Sequence, residues 1–233
     1  MRTGSMEVRS EESSYAAGGR RVGAHVAIPA SGHGPGVVVI HEAFGLDGFV
    51  RGVCARLARE GITALAPDLF DGRLARDEGE ARALVAELDE KRVGEDLDGA
   101  VHALLSHDAV DGPRVGVLGF CLGGHLALVA GSRSRRVGAV VDFYGLFPSP
   151  PVDLAALAAP LLAIFAERDE FIPAESVEGL RRGLRAGGKR ADVVVQRDVR
   201  HGFMNETRPD RFDAGAAAES WQRLLSFLRA ELA

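Results

Sequence analysis

The sequence predicts a single-domain α/β fold in which a mostly parallel sheet is flanked by helices on both faces. Short β-branched runs such as Val37–Ile40 alternate along the chain with longer segments whose apolar residues recur at helical spacing. With 233 residues and 46% hydrophobic content, the chain can bury one full core, and neither a linker nor an internal repeat divides it. We assign this domain to residues 15–233 and interpret the polar residues 1–14 as a loose tail.

In the first half of the chain, apolar runs and the turn residues between them define the elements. Val37–Ile40 is typical of a strand buried on both faces of a parallel sheet. The helical pattern that follows it stops at Gly61, a residue suited to a helix C-terminus. In order, we predict strands at residues 23–29, 37–40 and 62–70, and helices at about 49–60, 74–90 and 95–108.

The second half continues the same alternation. Each apolar run is followed by a loop or by a segment with helical periodicity, as expected for strands joined by crossover helices. The last segment is a long amphipathic helix that contains Trp221 and several leucines. In order, we predict strands at residues 115–118, 137–145, 160–169 and 191–195, and helices directly after Cys121, at 174–186 and at 213–232.

One stretch combines a strand, a sharp turn and a helix around a cysteine. Gly119-Phe120-Cys121-Leu122-Gly123 follows the strand-like run, and small residues then continue at helical spacing. The spacing Gly-x-Cys-x-Gly is typical of a nucleophile elbow, in which strained backbone angles push the nucleophile out over the sheet. Amide N–H groups at the start of the helix would favour a thiolate at Cys121. The alternative is a buried cysteine in a glycine-rich turn.

Three further polar residues follow predicted strands at the same edge of the sheet. Glu42, Asp169 and His201 lie far apart in sequence, but the carboxyl ends of parallel strands meet at one edge. The order of Cys121, an acid and then a histidine is that of α/β-hydrolases. In this interpretation Asp169 holds the imidazole tautomer, and His201 takes the thiol proton and later activates water. The alternatives are a helix cap at Asp169 before Pro173 and a surface histidine at His201.

Composition and spacing argue against several function classes. A net charge of −5 gives no basic face for a phosphate backbone, so nucleic acid is not an expected partner. The two cysteines make no disulfide framework, and no zinc-ligand spacing among them and the seven histidines implies a metal. No apolar run resembles a signal peptide or a membrane span, so we expect a cytoplasmic protein that contacts no membrane. Cys54 lies on an apolar helix face and is expected to be inert.

The segments around these residues resemble the dienelactone hydrolase (carboxymethylenebutenolidase-like) family of the α/β-hydrolase superfamily. The resemblance runs from about residue 20 to the C-terminus, and its specific part is the cysteine in the elbow together with the glutamate after an earlier strand. The matching segments are Val39–Gly45, Ala66–Phe70, Gly119–Gly124, Phe143–Gly145, Asp169–Pro173 and Arg200–Phe203.

The resemblance implies an enzyme that opens small lactones or esters through an acyl-thioester at Cys121, with no cofactor. It also implies that Glu42 contacts the resting thiol and is displaced when substrate binds, which would limit oxidation of a permanent thiolate. The backbone N–H groups of Leu122 and Ala43 would bind the oxyanion. The alternative for Glu42 is an ordinary solvated residue at a strand end.

The resemblance is less complete at the residues that would contact the substrate. Phe44, Arg73, Tyr144 and Phe203 are the candidate substrate contacts, but Arg73 lies one residue later than the family pattern. After His201 the chain has Gly202, Met204 and Asn205 where members that open the dienelactone ring carry a serine and an arginine. Arg208 and Arg211 are the arginines of this chain that could take the place of the missing arginine.

The sequence is therefore compatible with three functions. The first is hydrolysis of a dienelactone-like substrate by Cys121, His201 and Asp169, by a monomer or a weak homodimer. The second is a carboxylesterase of broad specificity for small esters. The third is a non-catalytic ligand binder or a redox-responsive thiol protein on the same fold, since fold alone does not determine function.

Overall fold

The computed structural model describes residues 8–232, in which eight strands and six helices alternate along most of the chain. In chain order these elements are β1 (Arg9–Ala17), β2 (Arg20–Ile28), β3 (Gly34–Ile40), α1 (Gly48–Arg59), β4 (Thr63–Pro67), α2 (Glu78–Ala86), α3 (Glu90–Leu105), β5 (Val110–Phe120), α4 (Leu122–Arg133), β6 (Val137–Phe143), β7 (Leu161–Ala166), α5 (Ala174–Ala186), β8 (Ala191–Gln196) and α6 (Ala214–Leu232).

The eight strands form one sheet in the order β1-β2-β4-β3-β5-β6-β7-β8. Every pair from β4 to β8 is parallel, whereas β2 runs antiparallel to both of its neighbours. The predicted α/β fold with a mostly parallel sheet is therefore confirmed. Because the parallel strands point the same way, their carboxyl ends meet at one edge, where the loops that carry function are expected.

Helices cover both faces of the sheet and bury two layers of apolar side chains. Residues of α1 and α6 pack on one face, and residues of α2, α3, α4 and α5 pack on the other. Alternate residues of β3 point into each layer, with Val37 and Val39 in one and Val38 and Ile40 in the other. A strand buried on both faces needs apolar residues throughout, which explains the unbroken run in the sequence.

The predicted loose tail is wrong for residues 9–14, which belong to β1. This strand pairs with β2 along nine residues, and the Tyr15 hydroxyl donates a hydrogen bond of 2.9 Å to the backbone carbonyl of Asp96. The side chains of residues 9–13 are exposed, so this edge strand needs no apolar residues there. Residues 1–7 of the predicted tail lie outside the described residues.

Two helices have bounds that differ from those their periodicity predicts, because aspartates begin both of them: α2 is shorter than the predicted 74–90, whereas α3 starts five residues before the predicted 95–108. The Asp77 side chain accepts from the N–H groups of Gly79 and Glu80 before α2, and Asp89 accepts from the N–H of Arg92 before α3. Each aspartate satisfies amides that have no partner within the helix. The predicted helix at 74–90 therefore starts later and ends before Asp89. Within residues 8–232, no helix combines the length and the apolar character needed to cross a membrane.

Candidate active site

Cys121 forms the corner between β5 and α4. Its backbone has φ 53° and ψ −119°, a conformation that residues other than glycine adopt only at a cost in conformational energy. The N–H of Cys121 donates to the Phe143 carbonyl at 2.9 Å, which holds the corner against β6. A Cβ atom at Gly119 would overlap the carbonyl of Gly123, so the strand and the helix approach this closely only with glycine there. The thiol is consequently presented, half-buried, at the carboxyl edge of the sheet.

Asp169 and His201 form a buried pair at the same edge. The Nδ1 atom of His201 lies 2.9 Å from Asp169 Oδ2 and 3.0 Å from Oδ1. Asp169 Oδ1 also accepts from the N–H groups of Phe171 and Ile172, at 2.9 and 3.0 Å, so the carboxylate cannot rotate freely. The cap residue of α5 is Pro173 and not Asp169. A carboxylate at Nδ1 leaves Nε2 as the atom available for proton transfer.

The second nitrogen of His201 is directed into the site. Nε2 is buried and makes no hydrogen bond within residues 8–232. Burial alone would lower the pKa of His201, but hydrogen bonding to Asp169 and the proximity of Cys121 outweigh it and raise the pKa to about 10.

Glu42 is buried just beyond the end of β3. Its Oε2 accepts a 2.7 Å hydrogen bond from the amide of Asn205, and its Oε1 accepts a longer one, 3.4 Å, from the Tyr144 hydroxyl. Burial raises the pKa of the Glu42 carboxyl, and the Asn205 hydrogen bond opposes that shift. In the part of the chain that the structure describes, Glu42 makes no hydrogen bond to Cys121. The two hydrogen bonds that Glu42 accepts come from neutral donors, and its contact with the thiol stays a prediction of the resemblance.

Asn205 is the site residue that sequence reasoning missed in this role. Its Oδ1 accepts from the backbone N–H of Thr207 at 3.0 Å and from the Thr207 hydroxyl at 2.7 Å. Both contacts fix the orientation of the amide, so that its NH₂ group faces Glu42. An asparagine in a loop after a histidine has no local feature that marks it as the partner of a distant glutamate.

The two backbone N–H groups expected to bind an oxyanion lie near the thiol. Leu122 is the first residue of α4, where an N–H has no partner within the helix. A Cβ atom at Gly123 would overlap the carbonyls of Ile40 and His41, so the start of α4 lies directly against the end of β3, where Ala43 follows. Among residues 8–232, neither the Leu122 N–H nor the Ala43 N–H donates to another group of the chain.

Of the candidate substrate contacts, Arg73 is engaged elsewhere. Its Nη1 pairs with Glu87 at 2.6 Å and its Nε donates to the Phe70 carbonyl at 3.1 Å. Phe44 is partly exposed and lies beneath the guanidinium of Arg208, 4.9 Å from the ring centroid. Arg208, rather than Arg73, is therefore the candidate arginine whose guanidinium lies over the Phe44 ring.

Tyr144 and Phe203, the other two candidate substrate contacts, are both fully buried and so present no surface to a substrate in this conformation. The Tyr144 ring lies 4.9 Å from the His201 ring and 5.5 Å from that of Phe203, centroid to centroid. Phe203 thus packs behind Tyr144 in the apolar layer formed with α1 and α6. Both aromatic rings support His201 and Glu42 from inside the protein.

Two other groups with reactive side chains are structural. Cys54 is buried on α1, as expected, and burial raises the pKa of its thiol to about 12, which disfavours the reactive thiolate. His41 is also buried: its Nδ1 lies 2.6 Å from the Glu42 carbonyl, and its Nε2 accepts from the N–H of Leu69. Within the described residues, no group of three or more histidine, cysteine, aspartate or glutamate side chains is arranged to hold a metal.

Comparison with known proteins connects this geometry to a family. The sequence profile of the dienelactone hydrolase family matches residues 22–232. Protein usf of Aquifex pyrophilus is 34% identical over 218 residues, which cover 91% of this chain and 94% of that protein. The "putative carboxymethylenebutenolidase" of Escherichia coli K12 is 34% identical over 209 residues, 84% of this chain and 76% of that protein. The crystal structure of a "putative dienelactone hydrolase" from Klebsiella pneumoniae superposes with a TM-score of 0.88, at 29% identity, over 96% of this chain and 99% of that one.

Proposed function

Because this chain belongs to the dienelactone hydrolase family and is a carboxylic ester hydrolase, we propose that it cleaves small lactones or esters through a Cys121-His201-Asp169 triad. The observation that carries the proposal is the buried Asp169–His201 pair, whose Nε2 makes no hydrogen bond to residues 8–232 and which lies near enough to Cys121 for that thiol to raise the pKa of His201. A third group that orients a base beside a nucleophile is the arrangement that nucleophilic catalysis requires.

In the first step, the Cys121 thiolate attacks the carbonyl carbon of the ester, and the carbonyl electron pair moves onto oxygen. The N–H groups of Leu122 and Ala43 stabilise this oxyanion. When the tetrahedral intermediate collapses, the C–O bond breaks and His201 Nε2–H protonates the leaving alkoxide. The products of this step are an acyl-thioester at Cys121 and an alcohol, which stays attached to the acyl group when the substrate is a lactone.

In the second step, water hydrolyses the thioester. The thiolate charge that raised the pKa of His201 is consumed by acylation, so the neutral imidazole can now act as a base. Nε2 takes a proton from water as the oxygen attacks the thioester carbon. The C–S bond then breaks, which releases the acid and restores the thiolate beside a protonated His201. Asp169 stabilises the imidazolium in both steps.

Glu42 regulates the reactivity of the thiol through its charge in this proposal. Because it is buried and its hydrogen bonds within residues 8–232 come from the neutral donors Asn205 and Tyr144, its carboxylate opposes a second negative charge nearby. The pKa of the Tyr144 hydroxyl is raised first by burial and then by the charges of Glu42 and Cys121, which indicates that both groups act on the same small region.

Two positions that could recognise a substrate carboxylate lack a free guanidinium, which leaves Arg208, over the Phe44 ring, as the remaining candidate. Arg73 is paired with Glu87, and the residue that faces Glu42 is a neutral asparagine. Guanidinium groups bind carboxylates as planar forks, and neither position offers a free one. Broad esterase activity is therefore the second candidate function, and it shares the same triad.

The test is a pre-steady-state assay with a chromogenic aryl ester, followed by mass spectrometry of the trapped protein. We expect a burst of the phenol that approaches one equivalent per protein, with the acyl group on the peptide that contains Cys121. A parallel panel of lactones with and without a carboxylate separates the two candidate functions. Acylation at another residue would refute the triad, and the absence of hydrolysis across the whole panel would favour a binding protein.

A further inference from the structure

Asp142 is a buried carboxyl group close to the elbow that the triad does not use. It lies near the end of β6, where its backbone is in register with Gly119 of β5 and Ala163 of β7, and its side chain is fully buried. It points to the face covered by α4, because a Cβ atom at Gly124 would overlap Asp142 Oδ1. The carboxyl group therefore touches the first turn of the helix that begins after Cys121.

One oxygen of this carboxyl closes a turn in the backbone. Oδ1 accepts the N–H of Gly145 at 2.7 Å, whereas Oδ2 is buried and receives no hydrogen bond from residues 8–232. A side-chain oxygen that accepts from an N–H three residues later replaces a backbone hydrogen bond and stabilises a turn. Here the turn comprises Asp142 and the three residues Phe143–Gly145 that follow it.

The residues of this turn contact three members of the site. Tyr144 adopts φ 45°, an uncommon conformation for a bulky residue, and its side chain reaches both the His201 ring and Glu42. A Cβ atom at Gly145 would overlap the carbonyl of Cys121 and the amide of His125. The turn is therefore packed between His201 and the backbone of the nucleophile, and a small displacement would move both.

We propose that Asp142 is a positioning residue for the reaction: it holds the Phe143–Gly145 turn against the start of α4 and thereby keeps Tyr144 against His201 and Glu42. The inference rests on the proposed function, since Cys121 and His201 are the groups that it positions. It requires Asp142 to accept a hydrogen bond and does not require it to carry a charge. Burial raises the pKa of this carboxyl well above its usual range, although the Gly145 N–H and His201 oppose that shift.

The experiment compares three variants by kcat and KM on a chromogenic ester and by the rate at which iodoacetamide alkylates Cys121. Asp142→Asn keeps an oxygen for the Gly145 N–H, and we expect its kcat to stay within about threefold of wild type. Asp142→Ala removes the acceptor, and we expect kcat to fall by about 100-fold with little change in KM, because misplacement by about 1 Å has that effect. Alkylation of Cys121 should slow in the alanine variant only.

Val140→Ala is the matched control, because Val140 is buried on the same face of β6, two residues before Asp142. It removes a buried side chain without touching the turn, so its kcat should stay close to that of wild type even if its melting temperature falls. Circular dichroism establishes that each variant is folded. If Asp142→Ala does not fold, Asp142→Val fills the space without supplying an acceptor and takes its place.

Three results would overturn the inference. The first is a normal kcat in Asp142→Ala, the second is an equal loss in Val140→Ala, and the third is a loss in Asp142→Asn as large as in Asp142→Ala, since charge would then be the essential property. Failure of the proposed function is distinguished by Cys121→Ala, because an active Cys121→Ala protein refutes the triad whatever Asp142 does.

Discussion

Asn205 and Glu42 are 163 positions apart in the chain, yet they share a buried hydrogen bond of 2.7 Å. Asn205 belongs to the loop that carries His201, and Glu42 follows β3, so the bond joins the two sides of the site. The donor is neutral, which leaves the carboxylate with no cation in direct hydrogen-bonding contact in the described part of the chain. Buried carboxyl groups without a cation are sensitive to small changes in their partners.

We expect Asn205→Asp to shift the dependence of kcat/KM on pH towards acid. The substitution preserves shape but places two carboxyl groups in contact, so one of them must hold a proton. Activity at pH 8 should fall by about tenfold or more, because a buried donor is lost, and should recover in part near pH 5. Steady-state kinetics across this range measure the shift. A profile that superposes on that of wild type would mean that the Asn205 amide does not control Glu42.

We expect Cys121→Ala to abolish ester hydrolysis and Cys54→Ala to leave it nearly intact. Only Cys121 lies at the strained corner beside His201, whereas Cys54 is buried on α1 among apolar residues. The loss of a small buried side chain should cost Cys54→Ala about 1 kcal/mol of stability. Initial rates with an aryl ester and thermal melting measure both effects. Equal loss of activity in the two variants would contradict the assignment of the nucleophile.

Asp169→Asn should lower kcat by about 10⁴-fold, as expected when the residue that orients a catalytic histidine loses its charge. In wild type, kcat/KM should decline at alkaline pH with a midpoint near 10, the value to which the pKa of His201 is raised. Above that midpoint His201 loses its proton, so the thiolate loses its imidazolium partner and the leaving group loses its proton donor. Because Asp169 helps to raise this pKa, the midpoint should move to lower pH in the variant.

Asp198→Asn is the control for that prediction. It makes the same chemical change at an exposed aspartate that pairs with Arg168 on the surface. Its rate and its pH profile should match those of wild type. His201→Ala should be inactive but folded, and full activity in that variant would remove the triad.

We expect Glu42→Gln to increase the rate at which a small alkylating agent reacts with Cys121 in the free enzyme. Removal of a buried negative charge near the thiol favours the thiolate, so the curve of alkylation rate against pH should move to lower pH. Inactivation by peroxide should accelerate as well. Glu60→Gln, an exposed change at the end of α1, serves as the control. An unchanged curve, or one displaced to higher pH, would mean that Glu42 does not act on the thiol.

Glu42→Gln should also stabilise the fold at neutral and alkaline pH. Burial raises the pKa of Glu42 in the folded protein above its ordinary value of 4.5. The unfolded chain therefore ionises first, and stability is lost progressively as pH rises above 4.5. Glu42→Gln cannot ionise, so its melting temperature should exceed that of wild type at pH 8 and should match it near pH 4. A lower melting temperature at pH 8 would contradict this explanation.

The main features of the fold could be predicted because they are local in sequence. The run Val37–Ile40 is apolar throughout since both of its faces are buried, and the Gly119–Gly123 spacing reflects the close approach of β5 and α4. The three proposed triad residues follow strands, so strand prediction alone places them at one edge. Asp169 and His201 do meet there, with Nδ1 2.9 Å from a carboxylate oxygen.

The remaining features depend on contacts that no local pattern contains. β1 has polar exposed residues along most of its length, and its pairing with β2 is made by backbone groups that every residue carries. Asn205 and Asp142 act through single hydrogen bonds to residues whose position depends on the complete sheet. Tyr144 and Phe203 look like substrate contacts in sequence because they adjoin functional residues, but their rings fill the space behind His201.

The separation of Cys121 from His201 along the chain has a consequence for synthesis on the ribosome. Cys121 emerges long before His201, which lies between β8 and α6. Until the segment with His201 has been made, Cys121 has no catalytic base beside it, so we expect the nascent chain to be inactive. A chain divided in the connection at Gly187 and Gly188, between α5 and β8, would place nucleophile and base on separate fragments. Hydrolysis of a chromogenic ester would then report their reassembly.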